Sequence, residues 1–448
     1  MRSQLIILKN RLIHRSFPDK RLKELIDFEA LPLEQKISIQ KQKLEDYLIY
    51  AANHTYYYAE ILNKLKIIQG GKVDWVRFHQ IPILEKQDIR QHFNQLKSDQ
   101  IEKMHVMMNH TGGSTGVPLE FFMDSYFSDC AMALTELQFM WAGKKKHDTH
   151  FKLWGSQEEI LRGSLGSRSI LSNWLYKLQL LNSFSMSAEQ MAGYVSRIEK
   201  SSPAFIEAYV DSAYELARFI NQSGKSLHNI SGIIASAGTL YPFMREEIEK
   251  AFGCKVTNRY GSREMGNMAC EKDQGKELMV SMFTHFIEVV DENGEQCQPG
   301  EEGEIIVTSL TNQAMPFIRY RIGDRAIVGK SPASEPPVCI SFTSVTGRSV
   351  DIIRKKDGGI VSGNYFIHFV GVANYQHWLD KFQVIQSDYD EIMIKMVVNT
   401  TPSENDLNRI ATDVKRVMGE ECHVKFETVD EIPKEASGKY QFIKSLVK

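Results

Sequence analysis

From Leu22 to about Leu65 apolar side chains recur at three- and four-residue spacing with few breakers, which predicts helix throughout. The stretch IPILEKQDIRQHF around Pro82 reads as a loop entering another helix. Beyond it, MHVMMNHTGGSTGVPLEFFMD brings an apolar segment onto a cluster of glycines and hydroxyl residues, and a long apolar helix follows from about Ser125 to Trp141. A strand, loop and helix in this order can place backbone N–H groups near an anion. Between about Phe151 and Asn258, short apolar runs such as SGIIASAG and CKVTNRYG alternate with helical stretches such as Pro242 to Phe252, favouring an α/β core with mixed or parallel strands.

From THFIEVVDENGEQC to GEIIVTSL the period becomes two, with a turn at Glu292 to Gly294, so a β-rich subregion is expected. After Gly347 the pattern restarts. KFQVIQSDYDEIMIKMVV reads as two strands, Ser403 to Met418 as a helix and HVKFETVDEI as another strand, an α+β unit with a candidate hinge near Gly347 to Asp351. The fold class is therefore α/β. A large domain over residues 1–348 combines layered mixed sheets, helices and a small β subregion, and a small α+β domain occupies 349–448. No fixed-period repeat or low-complexity tract interrupts this plan.

The chain has 448 residues, enough for two or more domains, with 42% hydrophobic residues, 25% charged residues and a formal net charge of -2. That balance gives no electrostatic reason to expect nucleic acid as a partner. Six cysteines lie far apart with no CxxC pair, which fits reduced thiols and a cytoplasmic setting. Lys9 and Arg11 interrupt the apolar opening and no small-residue cleavage signal follows, arguing against a secretory leader, and no run is long enough to span a bilayer. The basic opening segment, with Arg2, Lys9, Arg11 and Arg15, reads as a helix docked on its own protein in preference to one lying on a membrane surface.

Four motifs carry candidate chemistry. In His110-Thr-Gly-Gly-Ser-Thr-Gly-Val-Pro-Leu119, glycines at 112, 113 and 116 allow close backbone approach, and Thr111, Ser114 and Thr115 add hydroxyl donors. The pattern suits a triphosphate, yet it lacks the Gly-Lys-Ser/Thr of a Walker loop, and such a loop alone is more often just a turn. In Asn258-Arg-Tyr-Gly-Ser-Arg-Glu264, Tyr260 can stack on a purine, Gly261 permits a close turn and Glu264 is a hard oxygen ligand suited to Mg²⁺. Its plainer reading is a surface loop with an Arg–Glu pair. Arg319-Tyr-Arg-Ile-Gly-Asp324, followed by Thr346-Gly-Arg348, offers a carboxylate for ribose hydroxyls and a guanidinium fork for phosphate or ribose oxygens, though such dipeptides mean little separately. Finally, Pro433-Lys-Glu-Ala-Ser-Gly-Lys439 holds a lysine able to neutralise charge at a phosphate, or else a merely solvated one.

In combination, the order TGGSTG, SAGT at Ser236 to Thr239, YGSRE, RYRIGD, TGR and PKxxSGK resembles the adenylate-forming superfamily of acyl-CoA synthetases, peptide-synthetase adenylation domains and luciferases. Within it the chain looks most like the phenylacetate-CoA ligase branch and its CapK-like proteins linked to capsule and surface-polysaccharide synthesis. The likeness runs from about Leu31 to Lys448, including IPILEKQDIR and AFIEAYVDSAYELA.

This resemblance implies an ATP-dependent, AMP-forming ligase that converts a small carboxylic acid to its acyl-adenylate and passes the acyl group to an acceptor: CoA, a sugar, an amino acid or a hydroxyl. Thr111, Gly112, Gly113, Ser114, Thr115 and Gly116 would hold the β- and γ-phosphates. Ser236, Ala237, Gly238 and Tyr260, with Gly261 and Ser262 beside it, would enclose the adenine. Glu264 would hold Mg²⁺, Asp324 the ribose and Arg348 the nucleotide, while Lys439 would assist adenylation before the small domain rotates.

Three positions depart from the family pattern. Arg263 stands where Ser or Thr usually precedes the motif glutamate, and is a candidate for a phosphate or acyl-carboxylate contact. Val350 replaces the usual hinge Asp or Lys, and Ile322 the usual Thr before Gly-Asp. Cys270 and Cys339 remain from a zinc set found in some relatives, but no ligand histidine stands around Leu278 to Val280, so zinc is not expected. The acyl pocket is expected between the helix after the glycine loop and the strands before Tyr260, with Phe139, Trp141, Trp154, Tyr209 and Ala235 as candidates. Two alternatives stay open: a plain aryl- or acyl-CoA ligase, and a nucleotide-binding scaffold without turnover. Oligomeric state is not legible.

Overall fold

A computed structural model describes residues 17–110, 119–154, 177–183, 186, 188–201, 203–238, 240, 242–272, 277–348, 352–356, 360–362, 366, 378–432 and 443–447. The opening basic segment, the glycine-rich loop at 111–118, Thr239, Val350 and the 433–442 segment with Lys439 lie outside them.

The long helical stretch expected from Leu22 to Leu65 is three helices, α1 (Pro18–Glu29), α2 (Leu33–His54) and α3 (Tyr56–Lys64). Pro32 supplies the first break, because a proline disfavours helix in the residue before it. Thr55 makes the second: its hydroxyl donates to the Ala51 carbonyl (2.8 Å) and accepts from the Tyr58 N–H (3.3 Å), capping α3. The helix expected after Pro82 is α4 (Lys86–Gln91), opened by a capping box between Glu85 and Asp88.

The arrangement around the glycine-rich loop differs from a strand leading directly to a helix. β1 (Val106–His110) and β2 (Glu120–Asp124) pair antiparallel, Val106 opposite Asp124 and His110 opposite Glu120, so the loop joins two strands of a hairpin. Helix α5 (Ser125–Trp141) starts only after the second arm. Asp124 caps it, accepting from the Phe127 N–H through Oδ1 (2.7 Å), while Oδ2 accepts from the Gln313 (2.6 Å) and Ala314 (3.2 Å) N–H groups. The chain's own carboxylate thus takes the N-terminus of α5.

Four parallel connections follow, through β3 (Thr149–Leu153), β4 (Leu178–Leu181), helix α6 (Ala188–Glu199), β5 (Ala204–Tyr209), helix α7 (Val210–Gln222), β6 (Ile230–Ser236), helix α8 (Pro242–Phe252) and β7 (Val256–Ser262). Then come β8 (Gly266–Glu271), β9 (Leu278–Val280), β10 (His285–Val290), β11 (Glu302–Ser309), β12 (Tyr320–Val328) and β13 (Ser341–Arg348). The eleven strands β3 to β13 form one sheet, whose order does not follow the sequence: β10-β11-β12-β13-β9-β8-β7-β6-β5-β3-β4. Its β7-to-β4 part is parallel and its β10-to-β7 part antiparallel, so the expected β-rich subregion continues directly into the parallel half. Every residue of β10 is buried, because both faces of that strand are covered.

One apolar core joins Ile206, Ala208, Ile233 and Ala235 to helices α6, α7 and α8. On the opposite face α5 packs Phe139 and Ala142 against Phe205, Ile234 and Cys270. The approach is close at Gly232, where a Cβ would meet the Ala142 carbonyl at 1.7 Å. A third core fills the antiparallel half beneath α2 and α3.

Beyond β13, β14 (Ile352–Arg354) pairs with β15 (Ile360–Ser362), and β16 (Leu379–Asp388), β17 (Glu391–Val398), β18 (His423–Thr428) and β19 (Ile443–Ser445) form a four-stranded sheet in the order β18-β17-β16-β19. Helix α9 (Glu404–Met418) begins in a capping box of Ser403 and Asp406 and buries Ile410, Val414 and Met418, one face at four-residue spacing. Arg416 Nη1 on α9 donates to the Tyr214 hydroxyl on α7 at 2.7 Å, linking this sheet to the parallel half.

Candidate active site

The sheet changes from parallel to antiparallel pairing at β7, which has β6 on one side and β8 on the other. Ligands favour such a seam, because loops diverge there and leave a crevice. Ser236 ends β6, followed by Ala237 with φ of 61°, a left-handed conformation uncommon for a residue with a side chain. Tyr260 and Gly261 lie near the end of β7. At Gly261 a Cβ would stand 2.6 Å from the Gly266 carbonyl, so only glycine lets β7 and β8 approach this closely.

Tyr260 donates its hydroxyl to Asp324 Oδ2 on β12 at 2.7 Å. Asp324 in turn stands opposite Arg348 in the β12–β13 register. Three residues from separate motifs therefore share one rim of the sheet. Glu264 follows in the turn after β7 and is only 7% exposed; its Oε1 accepts from the Tyr320 hydroxyl (3.1 Å) and lies 3.9 Å from Lys86 Nζ. A carboxylate can accept about four hydrogen bonds or ligand contacts, so this one keeps capacity for a hard cation carried by phosphates. Arg263 is exposed in the same turn, and the Ser262 hydroxyl accepts from the Met265 N–H (3.1 Å). Among the described residues no group of three His, Cys, Asp or Glu side chains could hold a metal ion.

Arg319, the first residue of its motif, does not join this rim. It has φ of 49°, and its side chain is 96% buried, donating from Nη1 to the His79 (2.6 Å) and Ile81 (2.7 Å) carbonyls and from Nε to Glu288 (3.1 Å). It pins the entry to β12, and so aims Asp324. Ile322 is buried in the core of the antiparallel half.

On the α5 face, a set of charged residues that sequence reasoning passed over lies at the ends of the parallel strands. Arg259 Nη2 donates to Glu207 Oε1 (2.6 Å) and to the Ser236 hydroxyl (3.2 Å). Glu207 Oε2 is 3.5 Å from both Lys152 Nζ and His150 Nε2. Burial alone would raise the Glu207 carboxyl, but Arg259 and its other neighbours hold it well below the usual carboxylate range; burial pushes His150 down, toward the neutral imidazole. Trp154 stacks on Tyr209 at 4.0 Å between ring centroids, and Lys152 Nζ sits 4.7 Å from the Trp154 ring. Of the expected pocket residues, Phe139, Trp154 and Tyr209 belong with this set. Ala235 does not: strand alternation turns it to the opposite face, into the core under α6 to α8. The signal for the charged residues was present in AFIEAY and NRYG, where Glu207 and Arg259 interrupt runs that burial would keep apolar.

Comparison with known proteins agrees with this layout. The CapK C-terminal domain family matches residues 353–446. The protein CapK of Staphylococcus aureus is 26% identical over 98% of this chain and 94% of its own length. A 2-hydroxyisobutyryl-CoA ligase, solved in the postadenylation state with 2-HIB-AMP, superposes with a TM-score of 0.62 at 16% identity, over 93% of this chain and 90% of that one. The chain is similar to CapK along nearly its whole length and shares the fold of the 2-hydroxyisobutyryl-CoA ligase. A phenylacetate-coenzyme A ligase of Thermus thermophilus is 24% identical over 73% of each chain. No helix among the described residues is long and apolar enough to cross a membrane.

Proposed function

We propose that this CapK-like chain is an ATP-dependent, AMP-forming ligase that activates a carboxylic acid as its acyl-adenylate and transfers the acyl group to an acceptor. The hydrogen bond from Tyr260 to Asp324, with Arg348 opposite in register and Glu264 four residues further on, carries the reading. It unites separate motifs where a single mononucleotide would bridge them.

In this reading Tyr260, with Ser236, Ala237 and Gly238, flanks the adenine, and Gly261 and Ser262 let the chain pass close to it. Asp324 accepts from the ribose hydroxyls, and Arg348 donates to the nucleotide. The loop Thr111, Gly112, Gly113, Ser114, Thr115 and Gly116 wraps the outer phosphates. Glu264 would hold Mg²⁺, which when bound would supply charge neutralisation at the phosphates. Arg263 contacts the reacting carboxylate in this reading, and Lys439 stabilises charge at the α-phosphate during attack. Residues 349–448 form a mobile domain that turns near Val350 to exchange Lys439 for the acyl-transfer site.

Coenzyme A is the acceptor that the names of the phenylacetate-coenzyme A ligase and the 2-hydroxyisobutyryl-CoA ligase favour. A sugar or amino acid acceptor rests on the CapK likeness alone. The test is pyrophosphate release and ATP exchange with a panel of carboxylic acids, followed by mass spectrometry of products with and without CoA. Absence of exchange with every acid would remove the catalytic reading, and a product formed without CoA would redirect the acceptor.

A further inference from the structure

Arg259 and Tyr260 are neighbours on β7, and strand alternation sends them to opposite faces. Tyr260 meets Asp324, whereas Arg259 points beneath α5, its side chain 4% exposed. Arg259 Nε and Nη1 are both buried and, among the described residues, make no hydrogen bond; His150 Nε2 is buried beside them, with Glu207 Oε2 at 3.5 Å. Leaving such donors unpaired is costly, and a buried guanidinium retains its charge. One Glu207 carboxylate faces two cations, Arg259 and Lys152, so the set carries a surplus positive charge with His150 neutral. Lys144, the next cation along α5's end, is already paired with Glu136 at 3.1 Å.

An apolar acid would gain nothing from these groups and would pay for burying them further. Resting on the acyl-adenylate reading above, we infer that the acid this chain activates carries a second anionic group, a carboxylate at its far end, which Arg259 and Lys152 receive between α5 and the ends of β3, β5 and β7. Trp154 and Tyr209 flank the chain that separates the two carboxylates.

The test measures binding by calorimetry of two non-hydrolysable mimics, succinyl-sulfamoyladenosine and butyryl-sulfamoyladenosine, to the full chain. Both share the nucleotide and differ only at the far end. The succinyl compound should bind at least tenfold more tightly, since a charge-assisted hydrogen bond contributes about that much. Arg259→Met should reduce the ratio at least tenfold. If that variant does not fold, Lys152→Met, at a partly exposed site, should reduce it at least threefold. Equal binding of the two compounds by the wild type, or a ratio unchanged in either folded variant, would overturn the inference while leaving the nucleotide reading intact. Binding of neither compound would sink both.

Discussion

Tyr260, near the end of β7, and Asp324, in the middle of β12 and 64 positions away, meet through a 2.7 Å hydrogen bond. The bond holds a carboxylate in one place before any ligand arrives, and preorganised acceptors of this kind lower the ordering cost of binding.

Tyr260→Phe should therefore raise the KM for ATP in pyrophosphate exchange about tenfold, the worth of a hydrogen bond to a charged partner. The fold should be unaffected, and an unchanged KM would show that Asp324 needs no such restraint.

Lys439→Ala should lower the adenylation rate by about 10²-fold or more, the scale seen when one transition-state donor is removed. ATP binding by calorimetry should change little. Undiminished turnover would take this lysine out of the reaction.

Arg319 has a structural task that can be separated from catalysis. Burial holds the Glu288 carboxyl above its usual range despite the neighbouring guanidinium, so Arg319→Ala strands a buried carboxylate as well as two carbonyls. Chemical denaturation should show a loss of about 3 kcal/mol or more. A loss below about 1 kcal/mol would mean that water replaces the guanidinium at no great cost.

His285 supplies a pH dependence. The ring is buried, its Nε2 donates to the Met265 carbonyl (2.8 Å), Nδ1 faces the Thr284 hydroxyl (2.9 Å), and burial lowers its pKa to about 4. The unfolded chain binds this proton near pH 6.5 and the folded chain does not, so stability is full above about 6.5 and falls as pH drops toward 4. The midpoint of thermal unfolding should decline across that window, less steeply in His285→Asn. Identical slopes would exclude the imidazole as the source.

Much of the fold was legible because periodicity and punctuation agreed: helices at Ser125 to Trp141 and Pro242 to Phe252 stand where the pattern put them. Local signals could not show that the antiparallel half and the parallel half share one sheet, since strand order is set by long-range pairing. Nor could they show the hairpin, because LEFF reads as the approach to α5 until its backbone pairs with Val106 to His110. Tyr260, Glu264, Asp324 and Arg348 were singled out through their motif order. Glu207, Lys152 and His150 escaped, because isolated charged residues in buried strands acquire meaning only when folding sets them side by side.

The alternation of Arg259 and Tyr260 along β7 has an evolutionary consequence. In the proposed site one extended segment would address two chemically distinct ends of a composite ligand through consecutive residues, so mutation at 259 would retune which acid is chosen while 260 conserved the energy-supplying half. A lineage built on this strand would explore new metabolites one codon at a time without surrendering its hold on the nucleotide.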